Sequence, residues 1–232
     1  MNRLGMEPGE WAAVRDVALS QSPALIISHL ACADTPDHPQ NRHQLERFEA
    51  LAARLPAAPR SLANSPGIFL GPAFATDLAR PGAALYGINP TPGRPNPMRP
   101  VVTITAPVLR VLQLDAPGAV GYGAAYPVAA GTRIATIGIG YADGLPRAAG
   151  STAAASIHGQ KVPIVGRVSM DLTTLDVSTL DAETVGIGTT VELFGPAFDL
   201  DAVAAGSGTI GYEILTRLGS RFRRVYTGSA AA

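Results

Sequence analysis

Few side chains in this sequence have the type and spacing to do chemistry by themselves. The four histidines, His29, His38, His43 and His158, show no metal-ligand spacing, and no HExxH, CxxC or Walker-type phosphate loop occurs. His38 and His43 lie in or beside a polar loop and are expected to be solvated, and Asp34 with Asp37 reads as a loop cap pair rather than a metal site. Of the 18 basic side chains all but Lys161 are arginine. Lys161 follows His158-Gly159-Gln160 in a turn and enters a strand, which makes it a solvated hairpin lysine. Arg80 before Pro81-Gly82 reads as a surface or salt-bridge residue, Asn64-Ser65 before Pro66 as a helix cap, and Tyr122 between Gly121 and Gly123 as a turn aromatic. On residue types alone the chain is a soluble two-domain protein of α/β plus β character.

The elements that must carry these residues change texture along the chain. Pro8-Gly9-Glu10 opens a helix through Leu19, and Ala24 to His29 has the pattern of a short buried strand. The polar loop from Asp34 to Asn41 precedes a helix running to about Leu55, with Leu45, Phe48, Leu51 and Leu55 along one face. Ser61 to Ser65 reads as a short strand, a helix or turn follows near Ile68, and Leu78 to Gly87 is a second strand-and-loop passage. Apolar strands with polar residues at their C-terminal ends suit an α/β barrel, but three or four such units are found where a closed barrel needs eight.

Pro92, Pro95, Pro97 and Pro100 crowd into ten residues with Gly93 and mark a boundary. Beyond it β-branched runs cover Val101 to Leu114, Thr132 to Ile139, Lys161 to Val177 and Thr189 to Phe194, with short helices expected at Leu200 to Ala205 and Ile210 to Leu218. The expected division is residues 1–98, an incomplete barrel, and residues 99–228, a mainly β domain. The fold class is therefore a partial (β/α)8 barrel followed by a mainly β C-terminal domain.

Composition narrows the partners. With 232 residues and 47% hydrophobic content the chain can build a sizeable core. Eighteen basic and 18 acidic side chains cancel, leaving no broad field for nucleic acid or an anionic membrane. Cys32, the sole cysteine, permits no intrachain disulfide, and no uninterrupted apolar run reaches membrane-spanning length. A cytoplasmic location is the expectation.

Six strings go further: Ala63-Asn64-Ser65, Arg80 to Gly87, Gly121 to Tyr126, Ile139 to Gly144, Gly166 to Asp171 and Gly211 to Thr216. In this order the sequence resembles alanine racemase, from Met1 to Arg224. The resemblance implies a pyridoxal 5'-phosphate enzyme that interconverts L- and D-alanine by two bases and supplies D-alanine for peptidoglycan. It implies a homodimer whose β domain reaches over the partner's barrel, so that each site is built from two chains.

Site residues follow from the same resemblance. Tyr122 matches the catalytic tyrosine contributed by the partner subunit, which exchanges the proton of the L-enantiomer; a phenol with a pKa near 10 needs hydrogen bonds or cations to serve as that base. Arg80 matches the arginine facing the pyridine nitrogen, where a permanent donor keeps that nitrogen unprotonated. Ser65, the amides around Gly82 and Ala83, and the Tyr212 hydroxyl match the phosphate site. His29 matches a histidine near the cofactor ring, with a satisfied polar cap on a buried strand as the competing reading. Arg3 matches an arginine at the cofactor's phenolic oxygen and close to the substrate carboxylate, although a terminal position favours fraying. Tyr141 and Tyr212 match the pair that narrows the entrance, and Met170 and Asp171 match partner-chain residues bordering the substrate, where the Met170 amide would meet its carboxylate. No metal is implied. One departure is local: where the family often has a histidine three residues before the Asn-Ser pair, this chain has Ser61, expected to orient Arg80 only weakly.

The resemblance also implies that the barrel's first strands and the Schiff-base lysine would lie upstream of Met1, and Lys161 is no substitute. The alternative function is thus an inactive or split fragment, acting with a complementary N-terminal fragment or as an interaction and dimerisation module. A related barrel-plus-β-domain decarboxylase of basic amino acids shares the architecture. The Gly-Tyr-Gly and Gly-Tyr-Glu-Ile-Leu-Thr strings and the barrel position of Cys32 argue against it.

Overall fold

The computed structural model describes residues 1–228 and divides into a first unit, Met1–Arg99, and a second beginning at Pro100. Each unit has its own core.

In the first unit, helix α1 (Pro8–Ser20) starts with a capping box, the Glu7 amide donating to Glu10 Oε2 at 2.8 Å. Strand β1 (Ile26–Ile27) is much shorter than the six-residue buried strand expected, and Ile27 is 58% exposed. It pairs in parallel with β2 (Arg60–Ser61), after which a single parallel bridge joins Asn64 to Arg80. The expected strand over Ser61 to Ser65 is cut short because Asn64 caps a helical turn, α3 (Ser65–Ile68), its Oδ1 accepting from the Gly67 amide at 3.0 Å. Between β1 and β2 lies α2 (Pro39–Ala52), capped by His38 Nδ1, which accepts from the Gln40 amide. That helix ends three residues before Leu55, and its buried face is Asn41, Leu45, Phe48 and Ala52. Leu51, expected on that face, is 50% exposed because the observed 4-3-4 spacing turns it away from the core. Leu30, Ala33, Leu45, Phe48 and Leu62 form the core. Successive parallel strand ends with helices between them make this unit part of a barrel.

The second unit carries ten-residue β3 (Ile104–Gln113), β4 (Gly118–Val120), β5 (Tyr126–Val128), β6 (Arg133–Ile137), β7 (Ala154–Ile157), β8 (Gln160–Pro163), β9 (Thr173–Asp176) and β10 (Thr190–Phe194). Six of these form an antiparallel sheet in the order β8-β7-β10-β3-β6-β9, while β4 and β5 form a separate hairpin. The two ends of the six-stranded sheet meet through a bridge between Ile164 and Leu175, so the sheet curls upon itself. Inside lie Val108, Ile137, Ile157, Val162, Ile164, Leu175, Val191, Leu193 and Phe194. Helices α4 (Leu200–Gly206) and α5 (Gly211–Arg217) add Val203, Ala204 and Ile214 to that core.

The β-branched run from Lys161 to Val177 is not one strand. It breaks into β8 and β9 around Gly166, whose φ of +70° and close approach to the Val120 carbonyl leave no room for a Cβ (2.8 Å from that oxygen). The intervening loop carries Met170 and Asp171. Lys161 is exposed on β8 as expected, with its ammonium 6.0 Å above the Phe198 ring centroid. No helix among the described residues is long and apolar enough to cross a membrane.

Candidate functional site

At the strand ends of the first unit, His29 and Ser61 converge on Arg80. Its amide donates to the Ala63 carbonyl at 2.9 Å, which fixes the backbone at the parallel bridge to Asn64. Its half-buried side chain then turns along the strand ends. Nη1 donates to Ser61 Oγ at 2.5 Å, and Nη2 donates to the Ser28 carbonyl at 2.7 Å and, more weakly, to the Leu62 carbonyl at 3.4 Å. Ser61 Oγ is buried and passes its own proton to the Leu78 carbonyl at 2.7 Å. Contrary to the expectation of weak orientation, the serine makes a short, charge-assisted bond to the guanidinium. Partial burial lowers the pKa of Arg80, but a guanidinium stays protonated in a protein.

His29 completes this cluster. Its Nδ1 lies 3.2 Å from Arg80 Nη2. Because arginine has no acceptor, Nδ1 must accept, which puts the ring in the neutral tautomer with its proton on Nε2. Partial covering of the ring lowers its pKa below the ordinary 6.5, and the charges of Arg80 and then Arg3 push the same way. The unfolded chain therefore binds more protons than the folded one around that pH. The stabilising contribution is fully present above 6.5 and is lost as pH falls through the lower folded value. A histidine titration by NMR should put the His29 midpoint below 6.5, and Arg80→Met should move it upward. An unchanged midpoint in that variant would show that the guanidinium is not what holds the ring neutral.

Ser65 forms a second polar point one position beyond the bridge. Its buried Oγ accepts from the amides of Gly82 at 2.8 Å and Ala84 at 3.2 Å. The Gly82 amide, expected to face a phosphate, is thus committed to the serine. With both amides donating to it, the Ser65 hydroxyl still carries one proton it can donate, and Ala83 opens the 3-10 turn Ala83–Tyr86. Arg3 is exposed near the start of the chain, within electrostatic reach of His29.

The second unit gathers the other candidates. Tyr122 sits at the tip between β4 and β5 and is 67% exposed. Its flanking glycines are dictated by geometry. A Cβ on Gly121 (φ +81°) would lie 2.8 Å from the Arg167 amide nitrogen, and one on Gly123 (φ +73°) 3.3 Å from the Arg167 guanidinium.

Tyr141 begins a 3-10 turn, Tyr141–Asp143, that docks on the Met170 loop. The Tyr141 amide donates to the Ser169 carbonyl at 3.0 Å and the Ala142 amide to the Met170 carbonyl at 2.9 Å. Met170 is 54% exposed, which excludes a core role. Tyr212 lies in the first turn of α5. Arg221 joins Asp143 and Asp171, with Nε 3.1 Å from Asp143 Oδ1 and Nη1 2.6 Å from Asp171 Oδ1.

Sequence reading missed Arg221, which sits in an arginine-rich stretch near the C-terminus, and the part played by Asp143. The signal for the aspartate was present: in Gly140-Tyr141-Ala142-Asp143-Gly144 an acidic residue three positions after Gly140 can cap the turn.

Comparisons with known proteins bear on both units. Residues 1–90 match the family model described as alanine racemase, N-terminal domain, and residues 101–226 that described as alanine racemase, C-terminal domain. A relative named alanine racemase in Rhodospirillum rubrum is 51% identical, over 98% of this chain and 62% of its own length. One of the same name in Acidiphilium cryptum is 50% identical over 97% of this chain and 63% of its own. Among solved structures, alanine racemase from Bartonella henselae with covalently bound pyridoxal phosphate is 40% identical. It superposes with a TM-score of 0.91 over 98% of this chain and 64% of that one. The chain thus spans somewhat less than two thirds of the length of these relatives.

Proposed function

Since the chain belongs to the alanine racemase family, we propose that it contributes to a pyridoxal-phosphate enzyme that interconverts L- and D-alanine with two bases. The observation that carries this is the spare donor capacity of Arg80. Of its five N–H groups, Ser61 takes one Nη1–H while Ser28, Leu62 and His29 share the two on Nη2. Among the described residues Nε–H and the second Nη1–H meet no acceptor, which fits the unprotonated nitrogen of a pyridine ring. The Ser65 proton likewise suits a phosphate oxygen. When bound, the cofactor supplies an electron sink that makes the α-proton of alanine removable.

This chain's residues then have distinct tasks. Arg80 holds a donor against the ring nitrogen and withholds the proton that would deepen the sink, which disfavours side reactions such as transamination. Ser65 anchors the anionic end. Tyr122, delivered by a second copy in a homodimer, takes the proton from the L-face. Met170 presents its amide to the substrate carboxylate, while Tyr141 narrows the approach and favours the small side chain of alanine. Supply of D-alanine to the cell wall is the role this activity would serve.

The second reading, a split module that needs a complementary chain, is favoured by one observation. Lys161, the sequence's sole lysine, lies in the second unit on β8, exposed, with its ammonium over the Phe198 ring. The two readings separate by trapping. A polypeptide of these residues, treated with pyridoxal phosphate and borohydride, should give no stoichiometric lysine adduct and no racemisation. Adding a polypeptide equivalent to the portion of the relatives this chain does not match, in cis or in trans, should restore both. A single adduct on Lys161 accompanied by racemisation would overturn this account of the anchor.

A further inference from the structure

We infer that Arg221, with buried Asp143, is a positioning residue that sets the direction of the Met170 amide and the place of Tyr141. The inference rests on the reading above that these two residues border the substrate. Three chain segments meet here: the turn 140–144, the loop 169–172 and the end of α5 with the residues after it, 217–221. The first two approach so closely that a Cβ on Gly140 would lie 2.3 Å from the Ser169 oxygen and 2.4 Å from the Met170 oxygen. Only glycine permits that contact. The third touches the turn at Gly144, whose added Cβ would meet the Arg217 oxygen at 2.5 Å, and through the Gly219 amide, which donates to the Asp143 carbonyl at 3.4 Å.

The direction of the Met170 amide follows from peptide planarity. In a trans peptide the C=O and the next N–H point opposite ways. The Ser169 carbonyl points at the Tyr141 amide, so the Met170 N–H points away from the turn. Its direction is therefore only as fixed as the turn, and the turn is held by a carboxylate. Asp143 Oδ2 accepts from the Gly140 amide at 2.9 Å, while Oδ1 takes Arg221 Nε at 3.1 Å. Arg221 reaches on through Nη1 to Asp171 Oδ1 at 2.6 Å, directly beside Met170. One planar guanidinium thus ties the turn to the loop, a geometry that a single ammonium cannot copy. It also offsets the negative charge of Asp171, which would otherwise oppose a carboxylate substrate arriving at the neighbouring amide.

Amide hydrogen exchange on this chain tests the inference without any cofactor. In Arg221→Met the Gly140, Tyr141 and Ala142 amides should exchange about tenfold faster or more, as expected when charge-assisted bonds holding a local segment are lost. The β3–β6 ladder should keep its protection, and Arg221→Lys should fall between the two. Unchanged exchange at the three amides would overturn the inference, as would a uniform loss that includes the ladder, since Arg221 would then stabilise the domain as a whole. In the racemising assembly, Arg221→Met should raise KM for alanine more than it lowers kcat. Local loosening with an unchanged KM would leave the clasp standing and remove Met170 and Tyr141 from the substrate's surroundings.

Discussion

Replacing Tyr122 by phenylalanine should abolish exchange of the α-proton of L-alanine with solvent while leaving that of D-alanine largely intact. The asymmetry has to be sought in exchange, not in racemisation rates. The two enantiomers have equal free energy, so kcat/KM must fall by the same factor in both directions whichever base is lost. In exchange without inversion each base acts alone, and loss of a positioned acid–base group costs about 10²- to 10⁴-fold on its own face. In D₂O, proton NMR of L-alanine and D-alanine incubated separately with the variant assembly would report each face. Equal losses on the two sides would remove Tyr122 from the role of one-sided base. The exposed tip position and the two glycines pressed against Gly166-Arg167 make this a clean substitution, since Tyr122 supports no core contact.

Removing the guanidinium of Arg80 should act through two routes that can be measured apart. In Arg80→Met the fully buried Ser61 hydroxyl loses its donor, as do the Ser28 and Leu62 carbonyls and His29 Nδ1. Leaving a buried acceptor unsatisfied costs about 1–3 kcal/mol, so denaturant unfolding of the first unit should shift by that order. Cofactor binding should weaken with it. Arg80→Lys should not rescue either property, because one ammonium cannot span acceptors arrayed around a planar fork. Ser61→Ala should show a smaller version of the stability loss. Wild-type stability in Arg80→Met would show that the cluster is not the organising centre of these strand ends.

The first unit was partly legible from sequence. Helical spacing found α2, and Pro8-Gly9-Glu10 found α1, because caps and apolar periodicity are local signals. Strand lengths were not legible. β1 and β2 are two residues each, and whether a short apolar run is paired depends on neighbours distant in the chain. In the second unit, β-branched runs located β3, β6 and β10, but the break between β8 and β9 is imposed by Gly166 packing against Val120, a tertiary fact. The site shows the same division. Arg80, Ser65, Tyr122 and Met170 stood out through strings whose order is specific. Arg221 did not, since its meaning lies in two aspartates 78 and 50 positions away in sequence. Ser61 was seen but undervalued, because sequence cannot reveal that its hydroxyl is buried against the guanidinium.

The central claim is that Arg80 of one copy and Tyr122 of another serve the same alanine. Mixing the two variants tests it most directly, because the Arg80→Met chain then needs only an intact second unit to lend its tyrosine. With Tyr122→Phe and Arg80→Met chains combined in the racemising assembly, each heterodimer should hold one site with both native residues and one with neither. Activity should return to about a quarter of the wild-type level for random pairing. If both residues served from the same chain, every site in the mixture would lack one of them. Activity no higher than that of the separate variants would contradict the account.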